Sequence, residues 1–433
     1  METFHFIGIK GSGMSALAQV LHDSGYTVQG SDVETEFFTQ KPLEQRGIAM
    51  YKFGESPLGQ PNLKVIASNA FGDDHPEIKF CREAGIPVER YHHFLGNWIR
   101  RYTSIAITGA HGKTTTTGMM AHLFGRIQPT SSLIGDGTGS GVEGSKYFVF
   151  ESCEYRRHFL AYSPDYAVIT NIDFDHPDYF SGLDDVTAAF QEMADRVRKY
   201  IVACGDDPQV RRIVPKTPIL YYGFDSHNDL RADSVQVTPE GMAFDAHLRG
   251  RRLGTFTVPA FGKHNVLNAL AVIGTALLES FDEEEIARHL ATYKGVKRRF
   301  SEKRVHGNIL IDDYAHHPAE IKATLDAVRA KYPDKRIVSV FQPHTFTRLE
   351  KFMDEFARSL SGSDEVYLCP IFGSAREHAG NVTLEHLMAK IPSSRPITEQ
   401  SIDQLKRYSD CVLLFMGAGD IQKYEQRYEQ ISM

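Results

Sequence analysis

The chain has 433 residues, and its 48 Lys and Arg against 55 Asp and Glu give a formal net charge of −7; the length points to about two to four domains, and the acidic balance lacks the basic footprint of a nucleic-acid partner. No apolar run reaches the roughly 18 residues of a membrane span, so no membrane insertion is expected. "METFHFIGIKGSG" enters a strand and a glycine turn without a signal-peptide pattern, so the expected location is cytoplasmic. The five cysteines, Cys81, Cys153, Cys204, Cys369 and Cys411, form no CxxC pair; most are expected to be buried thiols rather than a disulfide framework or a zinc site.

In chain order, "FHFIGI" reads as a strand and "MSALAQVLHDSG" as a helix, with the cluster Gly8, Gly11 and Gly13 between them and the acid Asp32 following the strand "TVQG". This resembles a dinucleotide fingerprint, but its spacing is GxxGxG rather than GxGxxG. Another nucleotide, a dinucleotide or a plain packing turn are the open readings. After "LKVIAS" a fresh strand, "SIAIT", puts a boundary near 99. It runs into "TGAHGKTTTT" and a helix, the context of a phosphate loop in which backbone N–H groups wrap phosphates, Lys113 reaches the outer ones and Thr114 or Thr115 ligates Mg²⁺. Position 107 is Ile and the nearest upstream glycine is Gly109, so the full GxxxxGK[ST] spacing fails and a tighter loop is implied.

Glu151 ends the strand "KYFVFE", where a carboxylate points into the crevice of an α/β sheet, and His176 lies in the loop "DFDHPDYF". Read alone, they are equally a helix-capping carboxylate and a surface histidine. Residues 230–260 read as antiparallel strands around a Pro-Glu-Gly turn, a β excursion within an α/β domain. In "GKHNVLNALAV", Asn265 and Asn268 share roughly one helix face beside His264. After "GVKRRF" the strand–helix–strand pattern restarts at "NILIDDYAHHPAE", so a third domain begins near 299. Arg304 belongs to a solvated charge run. The class is α/β, in three domains.

Taken together, "TGAHGKTTTT", "FES", "TNIDFDHPDYF", "GKHNVLNALAV", "GVKRRF" and "DDYAHHPAE" resemble the Mur ligases of peptidoglycan assembly over essentially the whole chain. "DDYAHHP" followed by "FQPHTFTR" is most similar to the alanine-adding members, with the tripeptide-recycling members as the nearest alternative. The resemblance implies a Rossmann-like domain at 1–98 for the UDP-sugar, a central P-loop ATPase-like sheet at 99–298 and a Rossmann-like amino-acid domain at 299–433. It implies an ATP-dependent ligase using Mg²⁺, with UDP-N-acetylmuramate and L-alanine as substrates and an acyl phosphate between them. Three reactants on three domains must meet, so the domains are expected to close on them, with an open unliganded form.

The residues implied are Gly8, Gly11, Ser12, Gly13, Met14, Ser15, Ser31 and Asp32 for the sugar nucleotide, and Gly109, His111, Gly112, Lys113, Thr114 and Thr115 for the ATP phosphates. Thr114, Thr115, Glu151 and His176 are implied as metal ligands. His264, Asn265, Asn268, Arg299 and Asp313 fall at the nucleotide, with Arg298 able to exchange roles with Arg299. His316, His317, His344 and Arg348 fall at the amino acid. Lys113, Glu151, His176 and Arg348 carry the chemistry. Two positions depart from the pattern. The helix after His176 contains no lysine to carbamylate, with Gln191 near the expected place, and Thr345 replaces an arginine of many alanine-adding relatives.

Overall fold

The structure, a computed structural model, describes residues 2–431 except 374–376 and 378. Its first sheet joins Ala49–Lys52, Thr27–Asp32, Thr3–Ile7, Leu63–Ala67 and Val88–Arg90 in that spatial order, all parallel. The strand order reverses at Thr3–Ile7, so the glycine turn after it opens at the carboxyl edge, where such sheets take ligands. The helix Ser12–Asp23 starts directly from that turn.

The second sheet has a parallel centre of Ile219–Gly223, Tyr200–Cys204, Tyr166–Ile169, Thr103–Thr108, Tyr147–Glu151 and Thr130–Leu133. Thr103–Thr108 lies inside this array, so its backbone is paired on both sides and "SIAIT" needs no polar face. The excursion at 230–260 appears as Leu230–Thr238, Gly241–Leu248 and Arg251–Val258; Leu230 pairs in parallel with Tyr222, so the excursion lengthens the central sheet. In the third sheet Ser301–Val305 runs antiparallel to Asn308–Asp313, followed in space by Val412–Met416, Ile337–Phe341, Glu365–Leu368 and Arg395–Pro396, all parallel. The three α/β layers expected from the alternation of strands and helices are present.

The layers are joined in two different ways. The first and second share one apolar core, in which Phe4, Leu17 and Trp98 are continuous with Phe148, Phe150 and Phe159. The helix Ser12–Asp23 lies against the edge strand Gly139–Ser140, and Gln19 Nε2 donates to the Gly137 carbonyl at 2.7 Å. The third layer keeps its own cores and meets the second through charge: Arg348 to Asp175 at 2.8 Å and His111 to Glu320 at 3.5 Å, with a ring contact of Phe174 and Phe352 beside them. These pairs hold the second and third layers together. The charges that draw the two surfaces together lie far apart in the chain, His111 and Asp175 in loops of the second layer and Glu320 and Arg348 in helices of the third, which local pattern does not reveal.

A Cβ on Gly139 would lie 1.8 Å from the Ala16 carbonyl oxygen, whereas one on Gly125, in the helix Lys113–Ile127, meets nothing within 4 Å. Gly139→Ala is therefore expected to destabilise the joined first and second layers by about 1–3 kcal/mol. Gly125→Ala is expected to be neutral or slightly stabilising. Denaturant unfolding of both variants checks this; equal stability of the two would remove the close approach.

Candidate active site

The glycine loop before the helix Lys113–Ile127 is made by two glycine-permitted turns and a neighbouring strand end. Gly109 has φ 135°, and a Cβ there would sit 2.0 Å from Thr170 Oγ1, so the turn excludes a side chain. Thr170 and Asn171 tie the loop down: Thr170 Oγ1 donates to the His111 carbonyl at 2.6 Å, and Asn171 Oδ1 accepts from the His111 N–H at 2.9 Å. Gly112, with φ 82°, then caps the helix Lys113–Ile127. The loop is tighter than the full GxxxxGK[ST] spacing, as the sequence implied.

Lys113 Nζ donates to the Gly109 carbonyl at 2.5 Å and to Glu154 at 3.0 Å. Burial opposes its charge, but Glu154, with Cys153 and Glu151, outweighs burial and holds the ammonium above its ordinary range. Thr114 Oγ1 donates to Glu151 at 2.7 Å, and burial raises the Glu151 carboxyl. Of the two threonines proposed for the metal, Thr114 meets Glu151, while Thr115 lines the adjoining cavity. His176 has a left-handed φ of 57°, and its Nε2 lies 3.7 Å from Glu154. Burial lowers its pKa.

A cavity of 620 Å³ runs from the loop to the junction with the third layer, lined by His111, Gly112, Thr115, His264, Asn265, Asn268, Arg299, Asp313 and Glu320 among others. Asn268 Nδ2 donates to Asn265 Oδ1 at 3.1 Å, as their shared helix face requires. Burial, with Arg299 nearby, pushes His264 down to about 4. The two arginines separate: Arg299 lines the cavity, whereas Arg298 is buried against Asp312 and donates to the Gly417 carbonyl at 2.7 Å. Asp313 accepts from the N–H groups of Phe300 at 2.8 Å and Ala315 at 2.9 Å, fixing the entry into the third domain.

Across the junction, Arg348 is only 4% exposed, and both its Nε and Nη2 reach Asp175 Oδ1, at 3.1 and 2.8 Å, with His344 Nδ1 3.3 Å from Nη1. Burial disfavours the Asp175 carboxylate, but Arg348 overcomes it and holds the group well below the usual range. His316 pairs with Glu320 at 3.0 Å, and His317 caps the helix Pro318–Lys331. Burial brings His317 down to about 4. Thr345 is buried with φ 69° at the start of the short helix Phe346–Lys351. Gln191 makes a reciprocal amide pair with the Val214 backbone, at 3.1 and 2.8 Å.

In the first loop the side chains divide between the surface and the core. Gly11 is exposed and Ser12 and Gly13 are half-buried, so these positions remain available to a ligand. Met14 is buried in the core, Ser15 Oγ donates to the Thr39 carbonyl at 3.1 Å, and Ser31 Oγ donates to Glu77. Their side chains shape the loop from beneath, so what these positions can offer a ligand is backbone. Asp32 accepts from the Lys10 N–H at 2.7 Å, so its carboxylate braces the glycine turn. Reasoning from sequence assigned no role to Glu154, Asp173, Asp175 or Glu320. The signal was there: Glu154 follows Glu151 by three residues, and the other acids stand inside the same histidine motifs.

Family profiles cover most of the chain: one described as Mur ligase family, catalytic domain at 3–103, the Mur ligase middle domain at 107–276, and the Mur ligase, glutamate ligase domain at 298–419. The chain belongs to the Mur ligase family. Its members form amide bonds in the ATP-dependent synthesis of peptidoglycan precursors. Among solved structures it is similar to the UDP-N-acetylmuramate–alanine ligase of Thermotoga maritima, with 27% identity, a TM-score of 0.84 and coverage of 100% of this chain and 99% of that one. It is also similar to the UDP-N-acetylmuramate:L-alanyl-γ-D-glutamyl-meso-diaminopimelate ligase of Neisseria meningitidis, at 26% identity and a TM-score of 0.61, over 69% of this chain and all of the other. The murein peptide ligase of Psychrobacter arcticus shares the fold at 23% identity, a TM-score of 0.75 and coverage of 99% and 98%. No helix among the described residues is long and apolar enough to cross a membrane.

The junction carries a pH dependence. Burial opposes protonation of His111, but Asp173 and Glu320 outweigh it and raise the ring from 6.5 to about 9. A raised folded-state pKa stabilises fully below 6.5, and the contribution is lost as pH rises through about 9. The melting-temperature gap between the wild type and His111→Gln is expected to narrow across that window; a constant gap would show that the His111 charge does not hold the junction.

Proposed function

We propose that this chain joins L-alanine to the lactyl carboxylate of UDP-N-acetylmuramate, using ATP. Residues 1–98 take the sugar nucleotide, 99–298 the ATP and 299–433 the amino acid. The observation that carries the reading is Arg348: a guanidinium, a group suited to gripping a carboxylate, stands at the carboxyl edge of the third sheet, where the amino-acid carboxylate would have to take the place that Asp175 holds in this structure. Likeness over the whole chain to an alanine-adding enzyme supports the same substrate.

A free carboxylate is a poor acylating agent, because amine attack would have to expel an oxide. Transfer of the γ-phosphoryl group to the lactyl oxygen supplies a leaving group and frees ADP. The alanine nitrogen then attacks the acyl carbon, loses a proton, and phosphate departs. Lys113 would leave the loop carbonyls and Glu154 for the outer phosphates, and the loop N–H groups would cradle them. His264, Asn265, Asn268, Arg299 and Asp313 line the space for the rest of the nucleotide. The adjacent oxygen donors of Thr114 and Glu151 fit a hard divalent cation, with His176 near the same lysine–carboxylate pair. Magnesium held there would supply positive charge beside the transferring phosphoryl group. With ATP and a nucleotide sugar as substrates, the reaction belongs to the cytoplasm.

The purified protein, given ATP, Mg²⁺ and UDP-N-acetylmuramate, is expected to release phosphate with L-alanine and not with the tripeptide L-alanyl-γ-D-glutamyl-meso-diaminopimelate. Release with the tripeptide alone would assign the recycling activity instead. Lys113→Ala is expected to lower turnover by about a hundredfold or more, and because it leaves buried Glu154 unpaired its thermal unfolding is measured alongside. Arg348→Lys keeps a cation beside buried Asp175 but loses the planar fork, so it tests binding with less risk to folding than Arg348→Ala. Its apparent KM for L-alanine is expected to rise about tenfold or more, with that for ATP nearly unchanged. An unchanged alanine KM would remove Arg348 from the amino-acid site.

A further inference from the structure

His111, Asp173 and His317 approach one another from both sides of the junction between the second and third layers. His111 comes from the phosphate loop, Asp173 from the segment after the strand Tyr166–Ile169, and His317 from the start of the helix Pro318–Lys331. One donor atom from each lies within 4.8 Å of the other two. His111 Nε2 is 3.1 Å from Asp173 Oδ2, and the His111 and His317 rings are 4.7 Å apart between centroids. Asp173 is held in place by its other oxygen, which accepts from the Phe174 N–H at 2.8 Å.

Two further observations point to a ligand. His317 is 4% exposed, and its Nε2 is buried without a hydrogen-bond partner. Glu320 Oε1 lies 3.5 Å from His111 Nδ1, so the ring has a carboxylate behind it. Metal-bound imidazoles commonly carry such a partner, which fixes the ring and makes it a better donor.

We propose that His111, Asp173 and His317 bind a borderline divalent cation of the zinc class, which clamps the third domain against the second. Two imidazoles and one carboxylate select zinc, cobalt or nickel over magnesium, which prefers oxygen donors and keeps its waters. The cation inserts between His111 Nε2 and Asp173, and the proton shared there leaves to solvent. Coordination through His317 Nε2 moves that ring's proton to Nδ1 and gives up the long 3.4 Å contact from the Ala319 N–H. The ligands belong to two domains, so the bound ion opposes their separation and slows any turnover that needs reopening. The site uses neither Glu151 nor Thr114 and does not depend on which amino acid the enzyme adds.

The test uses the full chain with saturating Mg²⁺. Zn²⁺ is titrated against a chromogenic chelator, and Co²⁺ serves as the spectroscopic probe. One Zn²⁺ per chain is expected, with at least tenfold weaker binding in Asp173→Asn and in His317→Gln, and a rise in melting temperature that the wild type alone shows. Asp173 has 44% of its side chain exposed, so Asp173→Asn tests binding with little risk to folding. Equal Zn²⁺ affinity in these variants, or no binding by the wild type, overturns the proposal. Cys153, Glu154 and His176 form a second candidate group of metal-ligating atoms. A sulfur-to-cobalt charge-transfer band that disappears in Cys153→Ser places the ion there and equally overturns it.

Discussion

Arg348 and Asp175 are each almost fully removed from water, on opposite sides of a domain junction. A buried guanidinium or carboxylate alone carries a desolvation penalty of several kcal/mol. Together they satisfy one another, so the junction favours two conditions, fully made or fully open to solvent. Around this pair the structure sets the His111–Glu320 and His316–Glu320 contacts. The same carboxylate, Asp175, accepts from the His176 N–H at 2.6 Å. Asp175 thereby joins Arg348 of the third domain to the loop that carries His176.

The contrast between the two junctions gives the molecule its mechanical character. Between the first and second layers, aromatic side chains pack into one core, and loss of that contact would expose apolar surface. Between the second and third, water can replace the ion pairs at much lower cost. A pair of layers joined by a shared core, with a third joined to them through charge, suits a reaction in which several reactants must be brought together. Two glycine turns, one in each of the first two layers, each deliver a helix N-terminus to the carboxyl edge of a parallel sheet.

Local sequence made much of this legible. The strand–turn–helix units at Gly8 and Gly109, the β excursion, and Asn265 and Asn268 on one helix face are all repeats of short-range geometry. Nearness to a glycine turn does not say which way a side chain points, so the inward packing of Ser15, Ser31 and Met14 was not legible. Ser31 faces Glu77, a partner 46 positions away. Arg298 and Arg299 are chemically identical neighbours, and only the packing of the third layer against the second sends one to the cavity and the other to Asp312.

By itself the sequence determined the α/β class, the tight glycine loop and the residue types gathered around it, because these follow from hydrophobic period, glycine placement and motif order within short stretches. Tertiary structure alone decided which charges meet. Lys113 with Glu154, Asp175 with Arg348, and His111 with both Asp173 and Glu320 are separated by 41, 173, 62 and 209 positions respectively. A carboxylate looks the same in sequence whether solvent, a helix end or a distant guanidinium neutralises it. The choice is made only when three separate sheets bring their loop edges together and burial makes an unpaired charge too costly to keep.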